Sequence, residues 1–497
     1  MFENISTIRE LLDLTAKEFG EKPLFSYWKK EKLHSVSYSE FSKNVTAVAK
    51  SIVLKGITES KIAVVSENSY QLIVWIFAVT LSGNVLVILD NNETIKEKAY
   101  RVLHSETSCL IYSDYNKPFY DYVKANIPGI THTISIESET QESIDCLSTI
   151  KLKETDGTAL AYITYTSGTT GKAKGVMHSQ INVLRTNFYL SNKINMEGST
   201  LFTLPLSSIY GFPIIIFASM YKGAHIFISA GLKTVLKEMK EVEPDFMFTV
   251  PAVIAFFNEI IDLKAGEIME RGEQNQLNAR KEALSLVLGQ NLKVFVTGSA
   301  ALNLDVANRM QELGVQVLNG LGMTETGSGS IINIREDNRL GSIGSVVADA
   351  EVKIIEGEVA LKSQYIFMGY YKDPEATAET FHGDWFLTGD LGYIKDDYVY
   401  LTGRKKNLII LSNGKNISPE ELESELLKIE EIIEALVYEQ DGKITAKVYS
   451  KHDEETIRRK INEMNKALSF QKQIQQIVIV KEEFPKTGTQ KIKRGEN

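Results

Sequence analysis

The densest set of residues that could bind an anion lies at positions 165–176, where the sequence reads YTSGTTGKAKGV. Glycines let backbone N–H groups approach phosphate oxygens, hydroxyl side chains add donors, and lysines add positive charge. Because an apolar, β-rich run precedes it, the segment is predicted to be a phosphate-binding loop after a strand. It is not a Walker A loop. That motif requires serine or threonine where this chain has Ala173, and its first glycine where this chain has Thr166.

Residues that commonly form covalent intermediates or metal clusters do not stand out elsewhere in the sequence. The chain has two cysteines, Cys109 and Cys146, and seven histidines that lack metal-ligand spacing. The cysteines are predicted to be small buried hydrophobic residues in a reducing compartment. No serine–histidine or cysteine–histidine nucleophile therefore needs to be invoked.

Together with several downstream segments in the same order, the loop resembles the ANL superfamily of adenylating enzymes. This family includes acyl-CoA and aryl-CoA synthetases, adenylation domains of peptide synthetases, and luciferases. The loop is similar to the family's [YF]TSGTTGxPKG motif and differs from it at Ala173, which replaces proline. The resemblance extends over roughly residues 35–497. The residues that it places on the ATP phosphates are Thr166, Ser167, Gly168, Thr169, Thr170, Gly171 and Lys174.

Two segments near position 300 resemble the family's nucleotide-binding turns. NGLGMTET resembles the [YF]GxTE element, which implies magnesium binding by Glu325 and a phosphate contact by Thr324. VTGSAAL resembles the [ST]GGAPL turn beside the adenine. Leu321 replaces the aromatic residue that stacks on adenine in the family, so purely apolar packing on the base is expected. The other residues that the resemblance places around the nucleotide are Gly298, Ser299, Ala300, Asn319, Gly320 and Gly322.

Three C-terminal segments resemble the family's ribose-binding, hinge and lysine elements. GDWFLTGDLGYI implies that Asp390 accepts the ribose hydroxyls, and LTGRKKN implies that Arg404 contacts the ribose and that Lys406 lies at a hinge. The loop around Gly414 resembles the one that approaches the active site after domain rotation. FPKTGTQKIKR resembles P[KR]TxxGKIxR, which places Lys491 on the substrate carboxylate and the ribose–phosphate bridge.

The resemblance implies a reaction in two steps. A carboxylic acid attacks the α-phosphorus of ATP to give acyl-AMP and pyrophosphate, with catalytic roles for Thr170, Glu325 and Lys491. A thiol then attacks the acyl-adenylate after the small domain rotates and withdraws the lysine. The implied cofactors are ATP, Mg²⁺ and CoA.

The expected acid-binding wall departs from the family pattern. Amino-acid-activating relatives place an aspartate in a region that reads LFTLPLSSIYGFPIIIFASM here and contains no acid, and an unpaired ammonium is costly to bury. Many acyl-CoA synthetases have a histidine where this chain has Ser208. Ser208, Tyr210 and Gly211 are the expected substrate contacts. The apolar stretches 209–218 and 250–261 either form core or favour a fatty or other apolar acid of unspecified length.

The thiol acceptor has two interpretations. NGKNISPEELE resembles acyl-CoA synthetase sequences, and the chain ends soon after Lys491, so no appended carrier domain is expected. Free CoA is the leading acceptor, and a separate acyl carrier protein is the alternative. A third hypothesis is an impaired adenylate-binding or regulatory protein, suggested by departures from the family at Ala173, Ser208, Leu321 and Gln490. The retained Lys174, Glu325, Asp390, Arg404 and Lys491 argue against it.

The elements that must position these residues alternate between helical stretches and short β-branched runs. Because the runs are apolar on both faces, they predict buried parallel strands covered by helices. The predicted strands are 61–68, 84–91, 108–114, 159–168, 225–231 and 292–300. The predicted fold class is α/β: a large N-terminal body of several subdomains with mostly parallel sheets over 1–402, a hinge at 403–407, and a small mobile α+β domain over 408–497. Pro419, followed by acidic residues, predicts a helix start in that domain.

Composition excludes several classes of protein. At 497 residues the chain needs more than one domain, and its 43% hydrophobic content provides a large core. Its net charge of −9 argues against a general nucleic-acid-binding protein. The apolar runs fall short of the roughly 18 residues of a membrane span, and the acidic N-terminus is not a signal peptide. A cytoplasmic protein without an integral membrane segment is expected.

Overall fold

The computed structural model describes residues 2–137, 149–166, 173–208, 210–231, 233–272, 275–410, 416–486, 492 and 494. The α-helices are α1 (Ile8–Phe19), α2 (Tyr38–Leu54), α3 (Tyr70–Leu81), α4 (Ile95–His104), α5 (Lys117–Asn126), α6 (Gln180–Ile194), α7 (Ala218–Tyr221), α8 (Val235–Val242), α9 (Pro251–Glu270), α10 (Gln276–Leu288), α11 (Leu304–Glu312), α12 (Pro374–Glu379), α13 (Pro419–Leu426) and α14 (Glu454–Ala467). A π-helical segment spans Tyr210–Phe217.

The strands of the body are β1 (Pro23–Lys29), β2 (Lys32–Ser37), β3 (Lys61–Val65), β4 (Val85–Ile88), β5 (Cys109–Tyr112), β6 (His132–Ser135), β7 (Leu160–Thr166), β8 (Lys174–Ser179), β9 (Ser199–Phe202), β10 (His225–Ile228), β11 (Phe246–Thr249), β12 (Val294–Thr297), β13 (Gln316–Met323), β14 (Ser328–Ile332), β15 (Ser345–Val346), β16 (Glu351–Ile355), β17 (Glu358–Lys362), β18 (Gly369–Tyr370), β19 (Phe381–His382), β20 (Trp385–Lys395) and β21 (Tyr398–Arg404). The C-terminal strands are β22 (Ile409–Ile410), β23 (Asn416–Ile417), β24 (Glu434–Gln440), β25 (Lys443–Tyr449) and β26 (Gln476–Val480).

Two large sheets form most of the described body. Their strand orders are β15-β14-β13-β12-β11-β9-β10-β1-β2 and β18-β8-β7-β4-β3-β5-β6. The central pairs of both sheets are parallel. Every residue of β11 and β12 is buried, as expected for strands covered on both faces. The prediction of an α/β body with mostly parallel sheets is confirmed.

Helix α3 shows why the body forms one large core. Its sequence, YQLIVWIFAVTL, is apolar around nearly the whole circumference, and Gln71 is its one exposed residue. An all-apolar helix must be covered on every side. It contacts α1 and α2 as well as strands β3 and β4, and it belongs to the hydrophobic cluster that also contains β9 to β13 residues. Helix α3 therefore lies in a hydrophobic core that the two large sheets share.

The edge of the second sheet is antiparallel. Strands β7 and β8 form a hairpin in which Thr166 pairs with Lys174, and β18 pairs with β8 so that Tyr370 lies opposite Val176. A third sheet, with β16, β17, β20 and β19 in order and β21 paired to β20, is antiparallel throughout. A separate hydrophobic cluster joins this sheet to β8, β13 and β18.

The C-terminal segment has its own core, which begins at Ile409 and joins β22 to β26 with α13 and α14. The predicted helix start is confirmed: Ser418 caps α13 by accepting the Glu421 N–H, and Pro419 follows as the first helical residue. The boundaries 1–402, 403–407 and 408–497 stay a prediction. Cys109 is buried in β5, and Cys146 lies outside the described residues. In the part of the chain that the structure describes, none of the helices is both long and apolar enough to cross a bilayer.

Candidate functional site

The two ends of the predicted phosphate loop are held together by the β7–β8 hairpin. Thr166 ends β7 and pairs with Lys174, which begins β8. The ammonium of Lys174 lies 4.8 Å from the centre of the Tyr370 ring, a cation–π contact. The predicted residues Ser167, Gly168, Thr169, Thr170 and Gly171 lie outside the described residues.

The TET turn, a single 3₁₀ turn at Thr324–Thr326, carries the predicted magnesium ligand. Glu325 is 8% exposed, and its Oε1 accepts a 2.7 Å hydrogen bond from the Tyr370 hydroxyl. Burial, followed by the neighbouring Glu325 charge, raises the pKa of Tyr370, so the phenol stays a donor. Sequence reasoning missed Tyr370, because a tyrosine in the run GYYKDPEAT has no chemical signature of its own.

His178 supports the same turn from the backbone side and was also missed. It is completely buried, and its Nε2 lies 2.6 Å from the carbonyl oxygen of Thr324, to which it donates. Burial lowers the pKa of His178 to about 4, although the hydrogen bond to Thr324 opposes this shift. The imidazole is therefore neutral near pH 7, with its proton on Nε2.

The predicted adenine-side residues lie at neighbouring strand ends. Thr297 of β12 pairs with Asn319 of β13, and the next residues, Gly298 and Gly320, also lie side by side. Ser299 and Ala300 follow in a bend after β12, whereas Leu321 and Gly322 continue β13. A Cβ at Gly298 would lie 2.9 Å from the Gly320 carbonyl oxygen, so this close strand approach requires glycine. Leu321 is 9% exposed and packs in the cluster with β17 and β20 residues.

Asp390 and Arg404 form an ion pair across strands β20 and β21. They are register partners, and Arg404 Nε lies 2.6 Å from Asp390 Oδ1. Asp390 is 3% exposed. Gly389, at φ +73°, turns the chain into Asp390, and its N–H donates to the buried Glu358 at 2.7 Å. A carboxylate and a guanidinium are thus held together where the resemblance placed a ribose.

The predicted hinge lies between an ion pair to the body and a hydrogen bond to the C-terminal segment. Lys405 forms a 2.8 Å ion pair with Glu358 of the body, and Asn407 donates a 2.5 Å hydrogen bond to Glu420 of α13. Lys406, between them, is an exposed residue whose ammonium is partly desolvated, and this desolvation, followed by the Arg404 charge, lowers its pKa. Gly414 and Lys491 lie outside the described residues.

One hydrophobic cluster connects these sites. Its members include Tyr370, which contacts both Lys174 and Glu325, together with Val176, Leu321, Phe367, Phe386 and Val399. Strands β8, β20 and β21, which carry Lys174, Asp390 and Arg404, therefore share one apolar support with Tyr370, the hydrogen-bond partner of Glu325. Glu358, on β17 beneath the Asp390 turn, was not foreseen, because its role depends on strand pairing rather than on a motif.

The expected acid wall contains a tight turn. The Ser208 hydroxyl donates to the Pro205 carbonyl at 2.9 Å and accepts the Gly211 N–H at 2.8 Å. A Cβ at Gly211 would overlap the Pro205 carbonyl oxygen. The Tyr210 hydroxyl lies 2.9 Å from the Thr249 and 2.7 Å from the Val296 carbonyl oxygens. Ser208 therefore closes the turn, and Tyr210 bridges β11 and β12.

The two apolar stretches of the expected acid wall differ in what surrounds them: one is buried in the core, and the other begins beside a cavity. All residues of the π-helical segment, Tyr210–Phe217, are buried in the core. The start of α9 differs, because Val250 and Val253 line a cavity of about 620 Å³ between the two large sheets. The rim of this cavity includes Lys486, from the segment that leads to Lys491.

The donor set fits magnesium held through substrate. Among the described residues there is no group of three or more histidine, cysteine, aspartate or glutamate side chains that could hold a metal ion. Glu325 is a single carboxylate with one oxygen engaged by Tyr370. Mg²⁺ commonly binds through one or two carboxylates together with substrate phosphates, and this arrangement fits that mode.

The model of the family described as AMP-binding enzyme matches residues 12–371. The long-chain-fatty-acid–CoA ligase FadD15 of Mycobacterium bovis is 24% identical over 79% of this chain and 73% of its own. The 2-succinylbenzoate–CoA ligase of Listeria monocytogenes is 28% identical over 92% of this chain and 93% of its own. The o-succinylbenzoate CoA synthetase of Bacillus subtilis, solved with its acyl-adenylate OSB-AMP, matches with a TM-score of 0.80, 22% identity, and 98% and 97% coverage of the two chains. The same synthetase solved with ATP and magnesium has a TM-score of 0.79, 22% identity, and 98% coverage of both chains.

Proposed function

The chain belongs to the AMP-binding enzyme family and is an AMP-forming acid–CoA ligase, and on that premise we propose that it activates an apolar carboxylic acid as acyl-AMP and transfers the acyl group to CoA. The observation that carries the proposal is that one hydrophobic cluster takes members from the strands of Lys174, Asp390 and Arg404 and includes Tyr370, which contacts Lys174 and Glu325. The relatives named above include ligases for both fatty and aromatic acids, so the lining of the cavity is the feature that bears on the class of acid.

The proposed nucleotide contacts follow from charge and position. Asp390 is a buried carboxylate whose negative charge is paired with the Arg404 guanidinium. A carboxylate readily accepts hydrogen bonds from two adjacent hydroxyl groups. We assign the ribose to this pair. Lys174 and the loop that it follows are assigned to the phosphates, and the strand ends at Gly298 and Leu321 to the adenine.

The first step brings two anions together. A carboxylate attacks the α-phosphorus, and pyrophosphate leaves, so fixed positive charge and positioning lower the barrier. Lys174 supplies a fixed cation, and Lys491 is the proposed mobile cation at the carboxylate. Glu325 would hold the magnesium ion, which when bound offsets the charge of the phosphates. His178 is neutral and donates to a backbone carbonyl, so it is assigned a supporting role rather than proton transfer.

The cavity supports an apolar acid. Its walls include Leu72 and Ile76 of α3, Ile88 at the end of β4, and Val250 and Val253 at the start of α9. Polar and charged side chains line the rest of the cavity, among them Glu67, Asn68, Asp90 and Lys233. Sites for small organic ligands typically combine apolar walls with such polar groups, which here are available to the carboxylate end of the acid. Its volume of about 620 Å³ can hold an acyl group together with the arm of a thiol.

Acid-dependent exchange of labelled pyrophosphate into ATP tests the proposal. The acids should include short, medium and long fatty acids, an aromatic acid and a keto-aromatic diacid, followed by CoA or acyl carrier protein with the best acid. We expect exchange with an apolar acid and thioester formation with CoA. Absence of exchange across the whole set would overturn the enzyme assignment, and dependence on carrier protein alone would overturn CoA as acceptor.

A pair of aspartate variants shows whether activity belongs to the described site. Asp390→Asn should weaken AMP binding about ten- to a hundredfold, the value of a hydrogen bond to a charged group. Asp337→Asn is the control, because Asp337 pairs with Arg339 on the surface. Exposed pairs contribute little. Equal AMP affinity in both variants, measured by calorimetry, would contradict the ribose assignment.

A further inference from the structure

Tyr370 touches two groups of the proposed active site at once. Its hydroxyl donates to Glu325 Oε1 at 2.7 Å, and its ring lies 4.8 Å from the Lys174 ammonium. It is 7% exposed. Tyr370 thus joins Lys174, at the start of β8, to the turn that follows β13.

The backbone holds Tyr370 rigidly. It pairs with Val176 of β8, and its N–H donates to the Thr377 hydroxyl at 2.8 Å. The preceding Gly369 adopts φ +125°, and a Cβ there would press against Thr377 at 3.0 Å. Side-chain freedom is limited further by Phe367, whose ring packs 5.0 Å from that of Tyr370.

The same segment also holds the backbone of Glu325. The Phe367 N–H donates to the Glu325 carbonyl oxygen at 2.8 Å. Glu325 is therefore bound through its main chain at residue 367 and through Oε1 at residue 370. Within the described residues, no hydrogen bond to its second carboxylate oxygen, Oε2, is present.

We propose that Tyr370 is a positioning residue for magnesium–nucleotide binding: its hydroxyl holds the Glu325 carboxylate in one orientation and leaves Oε2 for the metal. The proposal rests on the proposed function, in which Glu325 is the magnesium ligand. A hydrogen-bond partner that orients a ligating carboxylate commonly changes metal affinity by about ten- to a hundredfold.

The test is the Mg²⁺ dependence of ATP binding without acid, measured by calorimetry on the full chain. Tyr370→Phe keeps the ring over Lys174 and removes the hydroxyl. We expect it to need about ten- to a hundredfold more Mg²⁺ for the same ATP affinity, with AMP binding in the absence of Mg²⁺ unchanged. Tyr371→Phe is the matched control, because its hydroxyl bonds 2.8 Å to the exposed Glu106, and it should bind as the wild type does.

Further variants distinguish a wrong role for Tyr370 from a wrong assignment of Glu325 as the magnesium ligand. In Glu325→Gln the metal ligand is weakened, so adding Tyr370→Phe should cause little more loss of Mg²⁺ dependence. Unchanged Mg²⁺ dependence in Tyr370→Phe, or an equal fall in metal-free AMP binding, would overturn the positioning role. If wild-type protein bound ATP without any Mg²⁺ dependence, both this role and the assignment of Glu325 would fail.

Discussion

At the scale of single residues, the turn that carries Glu325 is held from two directions. His178 donates to the Thr324 carbonyl from within the core, and Tyr370 donates to the Glu325 carboxylate from the sheet edge. Neither contact moves a proton in the proposed reaction. Their shared effect is that an acidic ligand stays in place before nucleotide arrives, which lowers the reorganisation required during binding.

Burial of neutral His178 predicts acid sensitivity. Its pKa is lowered to about 4 in the folded protein, whereas an unfolded histidine titrates near 6.5. Between these values the unfolded chain binds a proton that the folded chain does not, so stability is complete above about pH 6.5 and falls as pH drops towards 4.

Urea unfolding at pH 7 and pH 5 measures this sensitivity. His178→Gln can keep a donor to Thr324 but cannot titrate. The loss of unfolding free energy between the two pH values should be smaller by about 2 kcal/mol in this variant. His382→Gln, at an exposed position, should leave the loss unchanged. The same pH loss in His178→Gln and wild type would mean that His178 is not buried neutral.

At the scale of elements, the turn between β9 and the π-helical segment depends on Ser208. Its hydroxyl satisfies both the Pro205 carbonyl and the Gly211 N–H, and Gly211 leaves no room for a side chain. Serine suits this position because a short hydroxyl can bond to nearby backbone. The departure from histidine is thus a change in how the turn is closed.

Ser208→Ala should lower the unfolding free energy by about 1–3 kcal/mol, since two backbone groups lose their partner. The same variant should raise KM for the acid, because the wall beside Tyr210 loosens. Ser208→Thr, which keeps the hydroxyl, should restore both values, and Ser207→Ala is the neighbouring control. If Ser208→Thr behaved like Ser208→Ala in urea unfolding and in acid titrations, the turn-closing role would be wrong.

Strands and helix starts could be predicted from sequence where local pattern decides them. The buried strand β12 is apolar on both faces, and Pro419 with the following acids begins α13 as expected. The Tyr370–Glu325 contact could not be predicted, because it joins residues 45 positions apart through the pairing of β18 with β8. Family resemblance supplied Asp390 and Arg404, but their pairing depends on the register of β20 with β21.

At the scale of the whole molecule, the chain crosses between two cores at Lys405–Asn407. Lys405 forms an ion pair with Glu358 of the body, and Asn407 donates a hydrogen bond to Glu420 of α13. Lys406 is the residue between these two contacts. The C-terminal core, from Ile409 onward, shares no member with the body clusters among the described residues. Rotation about Lys406 would therefore leave both cores intact.

Two variants should affect opposite halves of the reaction if this rotation is used. Lys406→Pro restricts φ at the hinge and so hinders rotation. Acid-dependent pyrophosphate exchange should stay within a few fold of the wild-type rate. Thioester formation should slow at least about tenfold, which corresponds to an added barrier of about 1.4 kcal/mol. Lys491→Ala should lose exchange but still convert supplied acyl-adenylate to thioester with CoA. Each half-reaction is assayed separately with the same acid. Equal loss of both half-reactions in either variant would contradict a two-position domain, because a single fixed arrangement would then serve both steps.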